Sequence, residues 1–212
     1  MRRPSIVPSP EFDRFVGTTP YRDVIAVRVC ATPEAIFASL QAVTLEDMKL
    51  AWLLGEIRYL PMRLRRRLPR SLPRTAFLDT LIRNGTLVLV NRAPRELITG
   101  SAGRLHCVDQ RPIRFTSREE FDRFNEPGFE KLFMSVRLQP TEQNGEWWLI
   151  LEHGTCALSA DAATDFMRYW RVVKPLGAFA TKQLLGAVAA RAEQSPVPPG
   201  PPCTPATVEG RQ

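Results

Sequence analysis

From Ser159 to Glu193 the chain reads SADAATDFMRYWRVVKPLGAFATKQLLGAVAARAE, an amphipathic helix pattern longer than any other in the sequence. Ser159 stands at the N-cap, where its hydroxyl can accept from a free backbone N–H, and Asp161 follows near the positive end of the helix dipole. Pro175 is the lone breaker. Phe166, Trp170, Val173, Gly177, Ala180, Leu184 and Ala187 recur at helical spacing and form one apolar stripe. So long a stripe must be buried against something long, which the remainder of the chain has to supply.

The other segments supply mostly strands. DVIAVRVCA alternates and is β-branched, hence a strand. TPEAIFASLQAV is a helix with Thr32 as N-cap, Pro33 at the first helical position and Glu34 in the first turn. TLEDMKLAWLLGEIRYLP repeats that signal, with Thr44 as cap, Glu46 and Asp47 after it, and Pro61 as stop. From GTLVLV through RELITGSAGRLHCVD the period shortens to two, giving two or three antiparallel strands. TSREEFDRFNEPG is a short helix in which Ser117 and Glu120 have capping-box spacing. FEKLFMSVRLQP and EWWLILEHGTCAL are two long strands joined by a turn at Asn144-Gly145. The economical assembly is α+β, a helix-grip arrangement with a curved antiparallel sheet wrapped around the C-terminal helix and two short helices closing one end. Sheet and helix should diverge at their ends and leave a cavity.

Three regions follow from composition. Residues 1–21 are rich in proline and polar groups and read as a flexible arm. Residues 22–193 form the folded ligand-binding domain. Residues 194–212 hold six prolines in 19 positions and read as a disordered tail. The start has no apolar leader core, and the longest apolar runs are too short to span a bilayer. Cys30, Cys107, Cys156 and Cys203 are scattered without a C-x-x-C pair, so they read as reduced thiols of a cytoplasmic protein.

The element order, with GSAGRLHCVDQ, PGFEKLFMSVRL, LEHGTCALS and FMRYWRVVKPLGA, resembles the helix-grip SRPBCC superfamily of START-related lipid-transfer domains, polyketide cyclases and birch-pollen-allergen-like proteins. It is most similar to a bacterial branch of that superfamily. The resemblance covers roughly Asp23 to Glu193, and the RYW helix preceded by LEHGT is its most specific part. It implies a hydrophobic cavity for a lipid-like or polyketide-like molecule. It implies no single reaction, because enzymes, carriers and sensors share the scaffold.

Residues of alternating parity define the candidate site. His153 shares a strand face with Trp147, Leu149, Leu151 and Thr155, whereas Glu152 shares the opposite face with Trp148, Ile150 and Cys156. We take the His153 face as the inner one. Leu132, Met134, Val136, Leu149, Leu151 and His153 from the sheet, with Phe166, Trp170 and Val173 from the helix, are then the ligand-binding candidates. His153 can act as a polar anchor or general base in an apolar pocket, or be an ordinary histidine satisfied by its neighbours. The expectation is non-catalytic binding of a small hydrophobic molecule. The alternative is a cyclase or dehydratase-type enzyme using His153 or Glu152 as acid/base. Two histidines without a third ligand make a poor metal site, so neither metal nor cofactor is expected.

The stretch RYLPMRLRRRLPRSLPR, Arg58 to Arg74, holds seven arginines and no acidic residue; without them the chain's 29 basic residues fall to 22, equal to its 22 acidic ones. Leu60, Leu64, Leu68 and Leu72 recur every four residues, but Pro61, Pro69 and Pro73 interrupt any regular helix. With Tyr59 its single aromatic residue, the stretch lacks the interleaved aromatics of a base-stacking surface, and nucleic-acid binding is disfavoured. Peripheral contact with an anionic membrane surface through Arg63, Arg65, Arg66 and Arg67 is the reading set against a plain solvated loop. Replacing those four arginines by Gln is expected to remove most affinity for acidic liposomes, with little change in thermal midpoint. Equal binding of the parent chain to acidic and neutral liposomes would leave the segment a solvated loop.

Overall fold

The computed structural model describes residues 6–48, 75–107, 113–195 and 208–210. The expected second helix beyond Met48 and the arginine-rich stretch lie outside them. The sheet is built from β1 (Arg22–Cys30), β2 (Leu87–Arg92), β3 (Glu96–Gly103), β4 (Glu130–Pro140), β5 (Glu146–Ala157) and β6 (Val208–Gly210). Their spatial order is β2-β3-β4-β5-β1-β6, and all five pairings between neighbours are antiparallel. The turn between β4 and β5 needs Gly145, whose φ of 81° disfavours any side chain.

Register turns alternation into two distinct faces. Ile25 lies opposite Leu151, Leu151 opposite Val136, and Val136 opposite Leu97, so one apolar row crosses four strands. These residues share a core with Val27, Val29 and Leu149. Against it pack α2 (Pro33–Ala42), a 3-10 turn (Leu45–Met48), α3 (Phe77–Arg83) and the long helix, which is α5 (Ala160–Glu193) because α4 (Arg118–Arg123) precedes it. The sheet is curved and α5 lies against it, so the chain is an α+β protein with the helix-grip layout.

The ends of α5 hold it in place. The Ser159 hydroxyl accepts from Ala162 N at 3.2 Å, as its N-cap position demands. Ala162 and Phe166 are buried near the start, and Leu184, Leu185, Val188, Ala189 and Ala192 near the finish. From Met167 to Gln183 no residue is fully buried. At 1.5 Å per residue a 34-residue helix is about 50 Å long, whereas the 12 residues of β5 reach about 40 Å. A straight rod across a concave sheet therefore seats best at its ends. This corrects the expectation that helix and sheet part company at their ends.

The opposite face of the sheet is covered too. Pro10–Val16, expected to belong to a flexible arm, is instead the helix α1, with Ser9 as N-cap and Phe12 and Val16 buried. Two aromatic and β-branched side chains at helical spacing outweigh the proline-rich composition around them, and fully burying a side chain such as Phe12 contributes roughly 1.5–3 kcal/mol. Polar contacts set its place. Arg22 bridges Asp13 of α1 at 2.7 Å and Glu152 of β5, and Arg137 lies 3.8 Å from the other Glu152 oxygen. Ser9 Oγ donates to Glu96 at 2.6 Å, and Ser135 Oγ donates to the same carboxylate at 3.2 Å. α4 completes the cover, burying Phe121 beside Ile98 and Phe133.

Two further differences concern connections and cysteines. Phe77–Arg83, to which the sequence reading assigned no element, forms α3. Val208–Gly210, from the expected tail, pairs with Ile25–Val27 of β1. Cys30 is disulfide-bonded, whereas the Cys156 thiol donates to Val16 O at 3.2 Å. The reading of four reduced cysteines is thereby corrected at Cys30.

Close approach of α1 to the sheet requires Gly154. A Cβ there would sit 2.5 Å from Val16 Cγ1. Gly154→Ala is expected to destabilise the fold by about 1–3 kcal/mol through overpacking. Val16→Ala in the same chain should restore part of that loss in urea melts, because the two sites share one contact. An unchanged urea midpoint for Gly154→Ala would mean that α1 does not rest on β5.

Candidate functional site

The inner face of the sheet carries the residues that parity pointed to. Val136, Leu149 and Leu151 are buried in the main core, with Met134 partly buried against it. Leu132 lies opposite Thr155 on the same face. From the helix, Phe166 is buried, whereas Trp170 and Val173 are partly exposed. The Trp170 ring stands edge-on to His153 at 5.7 Å and stacks on Phe166 at 5.9 Å. Tyr21 meets Phe166 edge-on at 4.9 Å and donates its hydroxyl to Ala163 O at 2.7 Å. Much of this set is therefore packed core, and the partly buried Met134, His153, Trp170 and Val173 form its open part.

Glu152 does not join them. It points to the outer face, is 2% exposed, and is held by Arg22 and Arg137. Burial pulls the Arg137 guanidinium below its ordinary pKa, with Glu152 and Glu96 opposing the shift. Both oxygens of this carboxylate face guanidiniums on the outer side, away from the open part of the site. Its role is to seat α1.

His153 has different company. Its strand partners are Asp23 on β1 and Met134 on β4. Asp23 is buried. Burial pushes the imidazole below its usual 6.5; the Asp23 charge works against this and the Lys174 charge on α5 adds to it. Asp23 and His153 thus lie side by side across β1 and β5 on the inner face, within electrostatic reach of Lys174 on α5. Asp23 and Lys174 were not singled out in the sequence, because only strand register and helix docking bring them to His153.

The second histidine is elsewhere. His106 was expected in a strand but lies in the turn after β3, where Nδ1 is 2.7 Å from Glu130 Oε1. The other oxygen of Glu130 accepts from Leu105 N at 2.7 Å. Glu130 precedes Met134 by four residues, about 13 Å along a strand, so the two histidines do not converge. Among the described residues no three His, Cys, Asp or Glu side chains are grouped to hold a metal.

A cavity of about 390 Å³ opens beside this face, between α2, α3 and the β2–β3 edge. Phe37, Leu40, Leu78, Leu81, Ile82, Val88 and Leu97 supply its apolar wall, and Asn91, Asp79 and Thr99 its polar points. Leu97 and Thr99 pair with Val136 and Met134, so the cavity continues the expected face one strand further toward the edge. None of the expected ligand-binding residues, Leu132, Met134, Val136, Leu149, Leu151, His153, Phe166, Trp170 and Val173, borders it. A broader depression of about 580 Å³ around Ile82, Arg114 and Phe115 is shallower and more open to solvent, and we regard the smaller, better-walled space as the candidate site. The α3 part of its wall had a sequence signal: Phe77, Leu78, Leu81 and Ile82 have helical spacing and end at Asn84-Gly85.

In comparisons with known proteins, no family model matches the chain and no curated protein matches it significantly. Among the described residues no helix is long and apolar enough to cross a membrane. Arg63, Arg65, Arg66 and Arg67 fall outside the described residues.

The lowered His153 pKa has a definite sign. Below pH 6.5 the unfolded chain takes up a proton that the folded chain resists, so stability falls as pH drops from 6.5 toward the lower folded value. Urea melts from about pH 8 to pH 5 are expected to show this limb, and His153→Gln should flatten it. An identical slope in the variant would assign the limb to other groups.

Proposed function

We propose that the protein binds or carries a small hydrophobic ligand, lipid-like or polyketide-like, in the cavity between sheet, α2 and α3. The carrying observation is the apolar wall of that cavity, whose volume of about 390 Å³ lies within the usual range for small-molecule sites. Its polar groups, Gln41, Asp79, Thr86, Asn91 and Thr99, can orient one end of an apolar molecule. Membership of the helix-grip SRPBCC superfamily belongs to this proposal, supported by the layout of sheet and C-terminal helix. So does a cytoplasmic location, against which the Cys30 disulfide weighs.

A second reading, an acid/base enzyme of the cyclase or dehydratase type, draws on the meeting of Asp23, His153 and Lys174. In that case His153 alone of the two candidates exchanges protons with substrate, because Glu152 faces away.

Val88 is 42% exposed and lines the cavity, so Val88→Trp can fill the space from its edge at little cost to folding. The variant is expected to bind a fluorescent fatty-acid probe at least about tenfold more weakly than the parent, a loss of roughly 1.4 kcal/mol. Native mass spectrometry of the parent purified from its own cells should show a co-purified apolar molecule that Val88→Trp lacks. Equal binding by the two chains would place the ligand elsewhere. Turnover of a substrate abolished by His153→Gln with binding intact would favour the enzyme.

A further inference from the structure

The middle of α5 has a second apolar face. Val172, Leu176 and Phe179 are 69%, 47% and 37% exposed, half of the six large hydrophobic side chains exposed among the described residues. Spaced by four and three positions, they form one stripe on the solvent side, away from Phe166 and Leu184. Isolated exposed apolar residues are ordinary, but a contiguous stripe calls for a partner. The flanking charge is of one sign. Between Asp165 and Glu193 the helix has no acidic residue, while Arg168, Arg171, Lys174, Lys182 and Arg191 are basic. Arg168 and Arg171 are exposed, and Lys182 is partly so. Arg168 has only an exposed 3.4 Å contact with Asp165. Lys174 acts on His153 and belongs to the inner side.

We propose that this face of α5 docks on an anionic lipid surface. Val172, Leu176 and Phe179 enter the headgroup boundary, and Arg168, Arg171 and Lys182 sit against lipid phosphates. Charge selects this occupant. A second copy of the chain seated on the same face about a two-fold axis would bring cations against cations. A neutral bilayer would leave them without counter-charge. The docking stands apart from the ligand cavity, whose wall includes none of these residues.

The test uses the full chain in co-sedimentation with vesicles of phosphatidylcholine alone or mixed with phosphatidylglycerol. The parent is expected to prefer the acidic vesicles and to lose that preference as salt rises, since screening shortens to about 3 Å at 1 M. Arg171→Gln and Lys182→Gln should each weaken binding about fivefold. Leu176→Asp combined with Phe179→Asp should weaken it with an unchanged thermal midpoint. The same pair should remove whatever binding remains in a chain with Arg63, Arg65, Arg66 and Arg67 replaced by Gln. Equal binding to both vesicles overturns the proposal, as does acidic-vesicle binding that survives Leu176→Asp with Phe179→Asp in the chain whose Arg63, Arg65, Arg66 and Arg67 are replaced by Gln. A parent dimer that this pair dissolves, with no vesicle binding, assigns the face to a second copy instead. Fatty-acid probe binding measured on the same variants is expected to stay at the parent value, so failure of docking and failure of the ligand reading give different results.

Discussion

Leu184, Leu185, Val188 and Ala189 of α5 share one apolar core with Ile25 and Val27 of β1 and Leu149 and Leu151 of β5. The remaining inner elements depend on this contact. A lone curved sheet would expose its inner row to water, and a lone helix would expose its stripe; each burial removes the other's penalty. Because both partners are stiff and the sheet is concave, contact concentrates where they meet best. The middle of α5 is left less buried, with Trp170 and Val173 only partly covered. That shortfall keeps His153 and Met134 from being sealed into the core.

The two sheet faces use different physics. The inner face is apolar and places the cavity beside its core. The outer face joins carboxylates and guanidiniums from α1, β1, β4 and β5 in one chain of contacts, Asp13 to Arg22 to Glu152 to Arg137, with only the last two buried. Desolvation offsets much of the Coulomb gain in such a chain, so its main consequence is geometric. Apolar contact between Phe12 and the sheet tolerates sliding, whereas a guanidinium shared by two carboxylates does not. The position of α1 follows from charge, and its adhesion from Phe12 and Val16.

Some misreadings share a cause. α1 and α3 are only seven residues each, too short to be stable helices by propensity alone. Their apolar spacing is visible, at Phe12 and Val16 and again at Phe77, Leu78, Leu81 and Ile82, but proline-rich or polar surroundings argue the other way. What stabilises them is the surface beneath, and a sequence does not display that surface. His106 shows the same effect in reverse: an alternating pattern ran on past Gly103, but the backbone turned and placed the ring against Glu130.

Read alone, the sequence determined the long capped helix, the strands, the α+β class and the parity that separates His153 from Glu152. These are local properties, set by a two-residue strand period, a 3.6-residue helix period and hydroxyl caps within a few residues of the helices they start. Only tertiary structure decided which parity faced inward, that Asp23 and Lys174 would surround His153, and that the open space would lie under α2 and α3 rather than against Trp170. Those outcomes depend on strand order, on register between segments more than a hundred residues apart, such as Asp23 with His153, and on where a straight helix touches a curved sheet. None of these is a property of any one segment, because each arises when apolar faces from distant parts of the chain compete for the same burial.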